Sequence, residues 1–158
     1  MSSGVAQTPV PLQTYALPFG EVCYGCGANN SHGMRIQSFW EGDEAVCTWT
    51  PKEHHMAAPG LLNGGVIATL IDCHGACAAM AAVYKAEGRA PGSSPRIIMV
   101  TGSLHVDYLK PTPLAAPVKL RAWITAQTSR KVEVECSVSS GGVETARGRV
   151  VMVRKQET

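Results

Sequence analysis

Charge is what this sequence has least of. Only 16% of its residues are charged, and 14 Lys plus Arg against 12 Asp plus Glu leave a formal net charge of +2. No dense Lys/Arg cluster is present to neutralise a phosphate backbone, which argues against a dedicated nucleic-acid binder. The nearest candidate, "SRKVEVE", reads as a hairpin turn. Disulfide density is missing too: Cys23, Cys26, Cys47, Cys73, Cys77 and Cys136 are too few and too scattered for a disulfide framework in 158 residues. The first residues, "MSSGVAQTPVPLQTYALPFG", lack the basic start and sustained apolar run of a signal peptide. The expectation is a reduced, cytoplasmic protein. Repeats and low-complexity segments are absent. What remains is a 45% hydrophobic chain of a length that suits one domain with a real core.

Residues 1–20, with Pro9, Pro11 and Pro18 and no hydrophobic period, read as an N-terminal arm, and 21–158 as the domain. Turn residues cluster between Gly25 and Gly33, a short strand is expected at Met34–Trp40, and "EAVCTWTP" alternates as a second strand. The polar loop "KEHHMAAPG" leads into a long helix from about Asn63, a plausible N-cap, to Lys85, with Gly88 as its stop. After "EGRAPGSSP" the period changes to two. "RIIMVTGSLHVDYLKP" puts Ser103, His105 and Asp107 on one face and Leu104, Val106 and Tyr108 on the other. "APVKLRAWITAQT", "KVEVECSVSS" and "ETARGRVVMVRK" follow with tight turns. This is an α+β pattern, one helix laid against a curved antiparallel sheet. A helix apolar on nearly all sides must be covered on nearly all sides, so a homodimer or homotetramer is expected.

The run from Gly64 to Tyr84 is long enough, at about 1.5 Å per residue, to cross a hydrocarbon core of about 30 Å. Asp72 and His74 near its midpoint make that costly, and a buried helix with no membrane role is the expectation. Asp72 lies too deep for an N-cap, and no Lys or Arg stands three or four residues away to pair with it. A carboxylate there needs a partner from another element, or a wet cleft. The bland alternative is a hydrogen bond to a neighbouring loop. Gly64 and Gly65, at a helix start whose N–H groups carry partial positive charge, let a ligand approach closely. Helix–sheet packing explains one glycine; two followed by a carboxylate fit an oxyanion donor beside a base or nucleophile.

Three segments carry a family resemblance. "GLLNGGVIATLIDCHGACAA" resembles the "HGG…D" helix of hotdog-fold acyl-CoA thioesterases, particularly the PaaI-like branch. "VTGSLHVDYLKPTPL" is similar to that family's "T-x-x-L-x-V-x-Y-x-x-P-x-P" strand, and "CYGCGANNSHGMRI" looks like its "CFGCG…NPxGLR" lead-in. The segments stand in the family's order and span roughly 21–154. The resemblance implies a hotdog fold and hydrolysis of an acyl-CoA, with Asp72 as general base or nucleophile. It implies that the Gly65 N–H polarises the thioester carbonyl, and that Thr101 positions water or carboxylate from across a dimer. No metal or other cofactor, nucleic acid or membrane is implied. One position departs: the family's His before the glycines is Asn63, which caps a helix and hydrogen-bonds a carbonyl but carries no proton. His54 and His55 are the nearby stand-ins. Gly64, His55 and Lys110 complete the substrate-binding candidates, with Lys110, Arg130 and Lys131 available to coenzyme A phosphates.

"CYGC" offers only half a zinc site, with His32 a poor third ligand, and is not placed like a thioredoxin motif. A tight turn packed by small thiols is the expectation. Cys73 and Cys77 read as core thiols, His74 as a satisfied core or interface histidine, and His105 with Asp107 as a solvent-side pair. Two rival functions stand beside the thioesterase: a hotdog hydratase or dehydratase, and a non-catalytic acyl-CoA-binding protein.

Overall fold

The computed structural model describes residues 9–16 and 18–156. Its elements in chain order are a 3-10 turn (Leu12–Ala16), β1 (Phe39–Glu41), β2 (Glu44–Trp49), a 3-10 turn (Glu53–His55), β3 (Met56–Ala58), β4 (Leu61–Leu62), α1 (Gly64–Ala86), β5 (Ile98–Tyr108), β6 (Val118–Gln127), β7 (Lys131–Ser140) and β8 (Val143–Lys155). Six strands form one antiparallel sheet in the order β1-β2-β6-β7-β8-β5, and β3 and β4 pair separately. The expected single helix against an antiparallel sheet is what is found.

α1 begins and ends where its sequence dictates. The Asn63 side-chain oxygen accepts from Gly65 and Val66 N–H. At the other end Gly88 takes φ +63°, its N–H bonds Lys85 O, and Arg89 N–H bonds Tyr84 O, the Schellman closure that glycine permits. Between them 13 of 23 residues are buried, too many for one stripe, so the sheet must curve around the helix. Its most apolar window has a mean hydropathy of 1.7, and 72% of that window is buried inside the protein. Glycines on both sides bring helix and sheet close. A Cβ on Gly148 of β8 would stand 2.5 Å from Ile71 Cγ2, and one on Gly75 would stand 3.2 Å from Val150 Cγ2.

Two expectations shift. The strand expected at Met34–Trp40 shrinks to Phe39–Glu41, because Arg35 takes φ 54° and the N–H groups of Met34 and Ile36 bond Tyr24 and Gly25 carbonyls. The described part of the arm is docked on the domain rather than set apart from it. Leu12 and Gln13 are buried, Leu12 N–H bonds Ser38 O, and Gln13 exchanges two hydrogen bonds with Ser38, at 2.8 and 3.0 Å. Residues 1–8 lie outside the described residues.

That contact runs on to His74, fully buried on α1. His74 Nε2 lies 3.0 Å from Ala45 O of β2, and Nδ1 lies 2.7 Å from Ser38 Oγ. A carbonyl only accepts, so Nε2 bears the proton and Nδ1 accepts from the serine hydroxyl. Burial drives the His74 pKa down to about 4, against the Ala45 carbonyl, which pulls it up. The folded state thus holds His74 neutral, whereas the unfolded chain takes up a proton below its ordinary value of about 6.5. The stability this histidine contributes is complete above that value and is lost as pH falls toward 4, a change of about 3 kcal/mol. Denaturation midpoints measured between pH 7 and 4 should fall along this window in the native chain, and the slope should flatten in His74→Gln.

Candidate active site

The half-buried and exposed positions of α1 before its last turn include Gly65, Ala68, Thr69, Asp72 and Ala76, spaced three, four and seven apart. That spacing makes one stripe, and Asp72 lies on it, on the one side of the helix the sheet leaves open. Its partner comes from β5: Thr101 Oγ1 donates to Asp72 Oδ1 at 2.5 Å. The bond is made within one chain.

Strict alternation would put Thr101 on the face of Ser103, away from the helix. The ladder between β5 and β8 slips at this point. Thr101 faces Met152 while Ser103 faces Val151, leaving Gly102 as an extra residue. A Cβ on Gly102 would sit 3.0 Å from Val153 Cγ2 and 3.2 Å from Val151 O, so the bulge is built on glycine. It turns Thr101 onto the helix side with Leu104, which faces the buried Val150. The signal in the sequence was a lone glycine inside a strand pattern.

At the helix start the sequence expectation needs correcting. Gly65 N–H, the expected donor to a substrate carbonyl, already donates to Asn63 Oδ1 at 2.7 Å. The Gly64 N–H, one residue earlier, has no partner among the described residues, and Gly64 O accepts from Tyr108 Oη at 2.7 Å. With Asn63 Oδ1 held by two backbone groups, its amide NH2 remains as a donor. His55 is not a solvated loop residue. It is buried, its Nδ1 accepts from Lys52 N–H, and its ring lies 4.8 Å from Trp49 and 4.2 Å from His54. Burial first, then the nearby His54 and Lys52 charges, lower its pKa. Its carbonyl accepts from Asn63 N–H, so it braces the helix start. Lys110 is exposed beyond β5, with its N–H on Thr145 O, and does not line the cavity described next. His105 and Asp107 pair at 3.1 Å, both exposed.

Asp72 and Thr101 open onto a cavity of about 650 Å³ between the segment 15–26, α1 and β5. Its walls are mainly apolar, with Phe19, Ala76, Met80, Ile97, Met99 and Met152. That size and character suit a small-molecule site. Arg96 and Lys155 also line it, two cations not singled out from the sequence, because they lie beyond the turn regions where basic residues cluster. Cys23, Cys26, Cys73 and Cys77 form part of the same wall.

Comparison with known proteins agrees with this fold. The family model described as the thioesterase superfamily matches residues 59–152. An acyl-coenzyme A thioesterase, THEM4, of Rattus norvegicus is 32% identical over 95 residues, 60% of this chain and 35% of its own length. The chain therefore spans about a third of that curated relative. A crystal structure of a thioesterase superfamily protein from Shewanella loihica superposes with a TM-score of 0.64 at 37% identity, covering 81% of this chain and 97% of that one. The structure of smu.793 from Streptococcus mutans, bound to acetyl CoA, has a TM-score of 0.62 at 16% identity and covers 77% and 90%, a likeness of fold.

Asn63→Ala removes the acceptor for Gly65 and Val66 N–H and should cost about 1 kcal/mol in chemical denaturation, whereas Asn63→Asp should keep that stability.

Proposed function

The chain belongs to the thioesterase superfamily, and from that premise we propose that it hydrolyses an acyl-CoA thioester to the free acid and CoA. The observation that carries the reading is the Thr101–Asp72 hydrogen bond on the wall of a largely apolar cavity. The acyl-CoA thioesterases among its relatives and the acetyl-CoA-bound structural neighbour support the substrate class.

Asp72 acts as general base, with direct attack on the carbonyl as the alternative. Thr101 fixes one carboxylate oxygen and leaves the other to a water molecule. That oxygen takes the water's proton as the C–O bond forms at the thioester carbon. Collapse of the tetrahedral intermediate breaks the C–S bond, and the CoA sulfur leaves with the proton. The developing oxyanion lies at the α1 start of the second copy of the chain, since Gly64 stands about 12 Å from Asp72 along its own helix; the dipole there favours negative charge. Since Asn63 occupies the Gly65 N–H, the donors on hand are the Gly64 N–H and the Asn63 amide. The Gly65 N–H joins them only when Asn63 rotates away. Arg96 and Lys155 supply positive charge for the coenzyme phosphates.

A hydratase or dehydratase is disfavoured on a specific ground, since those chemistries pair a histidine with a carboxylate. Both His74 nitrogens are engaged with Ser38 and Ala45, His55 Nδ1 is engaged with Lys52, and His105 pairs with Asp107. None of them is hydrogen-bonded to Asp72.

A second copy of the chain is also proposed. β5 is an edge strand of 11 residues, exposed from Thr101 to Tyr108 except at Val106, with Leu104 and Tyr108, and Leu109 just beyond its end, showing apolar surface. So long an unpaired edge invites pairing with another chain. Sedimentation of the purified protein should give twice the monomer mass or a larger multiple; a fully active monomer would overturn this.

With a panel of CoA thioesters, the native chain should release free thiol. Asp72→Ala should lose about 10²–10⁴-fold in kcat with the fold intact by circular dichroism, and Thr101→Val a smaller part of kcat with KM little changed. Hydration of enoyl thioesters, or tight binding without thiol release, would sink the hydrolase reading.

A further inference from the structure

Four cysteines on the cavity wall have no part in hydrolysis. Two come from the loop "CYGCG", Cys23 and Cys26, and two from α1, Cys73 and Cys77, which face the same way one turn apart. The Sγ atoms of Cys23, Cys26 and Cys73 all lie within 4.8 Å of one another, and Cys23 and Cys73 are 3.8 Å apart. Cys77, the fourth thiol, stands one turn beyond Cys73 on the same cavity wall. Thiolates bound to tetrahedral zinc at about 2.3 Å stand about 3.8 Å from each other, so the cluster is near the size of such a site.

The loop is shaped for it. Cys23 O accepts from Gly27 N–H at 2.8 Å, which closes the turn between the two cysteines. Two glycines make the approach possible. A Cβ on Gly25 would lie 2.3 Å from Cys73 Sγ, and one on Gly27 would lie 2.4 Å from Cys23 N. Cys23 and Cys26 are half-buried on the cavity wall, which gives an ion an entry path.

We propose that Cys23, Cys26, Cys73 and Cys77 form a tetrahedral thiolate site for a zinc ion, clamping the N-terminal loop to α1 beside Asp72. Each thiol releases its proton to solvent as its metal–sulfur bond forms, and nothing is oxidised. The sequence showed half the ligands; the fold brings the other half from about fifty positions away. The role is structural and independent of the hydrolytic reading, since no step of that reaction passes through it.

The full chain, purified under reductant, stripped with a chelator and shown folded by circular dichroism, is titrated with Co²⁺. A sulfur-to-cobalt charge-transfer band saturating at one equivalent, with the d–d absorbance of a tetrahedral ion, and its displacement by Zn²⁺ are expected. The band should be lost in Cys26→Ser and kept in Cys136→Ala, and Zn²⁺ should raise the melting temperature of the native chain alone. Absence of the band from folded, reduced protein overturns the proposal, as does its undiminished persistence in Cys26→Ser.

Discussion

α1 has to be kept out of water on almost every side, and the rest of the chain is arranged around that need. A helix with one apolar stripe can rest on a flat surface; this one cannot. β2, β6, β7, β8 and β5 all touch it, and the 12–16 turn closes a further flank by docking Gln13 onto Ser38. The glycines at 75 and 148 let the sheet come close enough to exclude solvent. The polar groups unavoidable in so enclosed a helix are then handled in two ways. His74 is satisfied completely, by a serine and a carbonyl, and becomes part of the frame. Asp72 is placed on the remaining open stripe, where one hydroxyl holds it and a cavity faces it.

This division explains how two ionisable residues so near in sequence serve different ends. They point to different sides of α1, so His74 meets β2 and the 38 segment while Asp72 meets β5 and the cleft. A buried group with both nitrogens engaged is poorly suited to moving protons. A half-buried carboxylate with a single fixed partner keeps an oxygen for chemistry.

Much of the fold was legible because its signals are local. Asn63 and Gly88 mark the ends of α1 by cap chemistry, and the alternation in "EAVCTW" and "KVEVECSVSS" survives as strands with alternating burial. Asp72 stood out because no local partner could answer it, and Thr101 came from the resemblance. What could not be read depends on contacts far apart in sequence. Arg35 adopts a left-handed turn only because Tyr24 and Gly25 carbonyls take the neighbouring N–H groups. The occupancy of the Gly65 N–H depends on the Asn63 rotamer, the burial of His55 on Trp49, and the meeting of Cys23 with Cys73 on a loop crossing back over α1. None of these leaves a period or a motif.

The bulge at Gly102 acts as a parity switch in β5. Upstream of it, Ile98 to Thr101 are counted in one phase against β8; downstream, Ser103 to Tyr108 are counted in the other. One residue inserted or deleted inside the strand would therefore swap which face one half presents, and the hydroxyl at 101 would point away from the carboxylate even with both residues unchanged. Length variation between α1 and this strand is harmless only in the loop 87–97, before the counting starts. Relatives that differ in length should accordingly differ there, and the spacing from the hydroxyl to the glycine should be the least elastic interval in the chain.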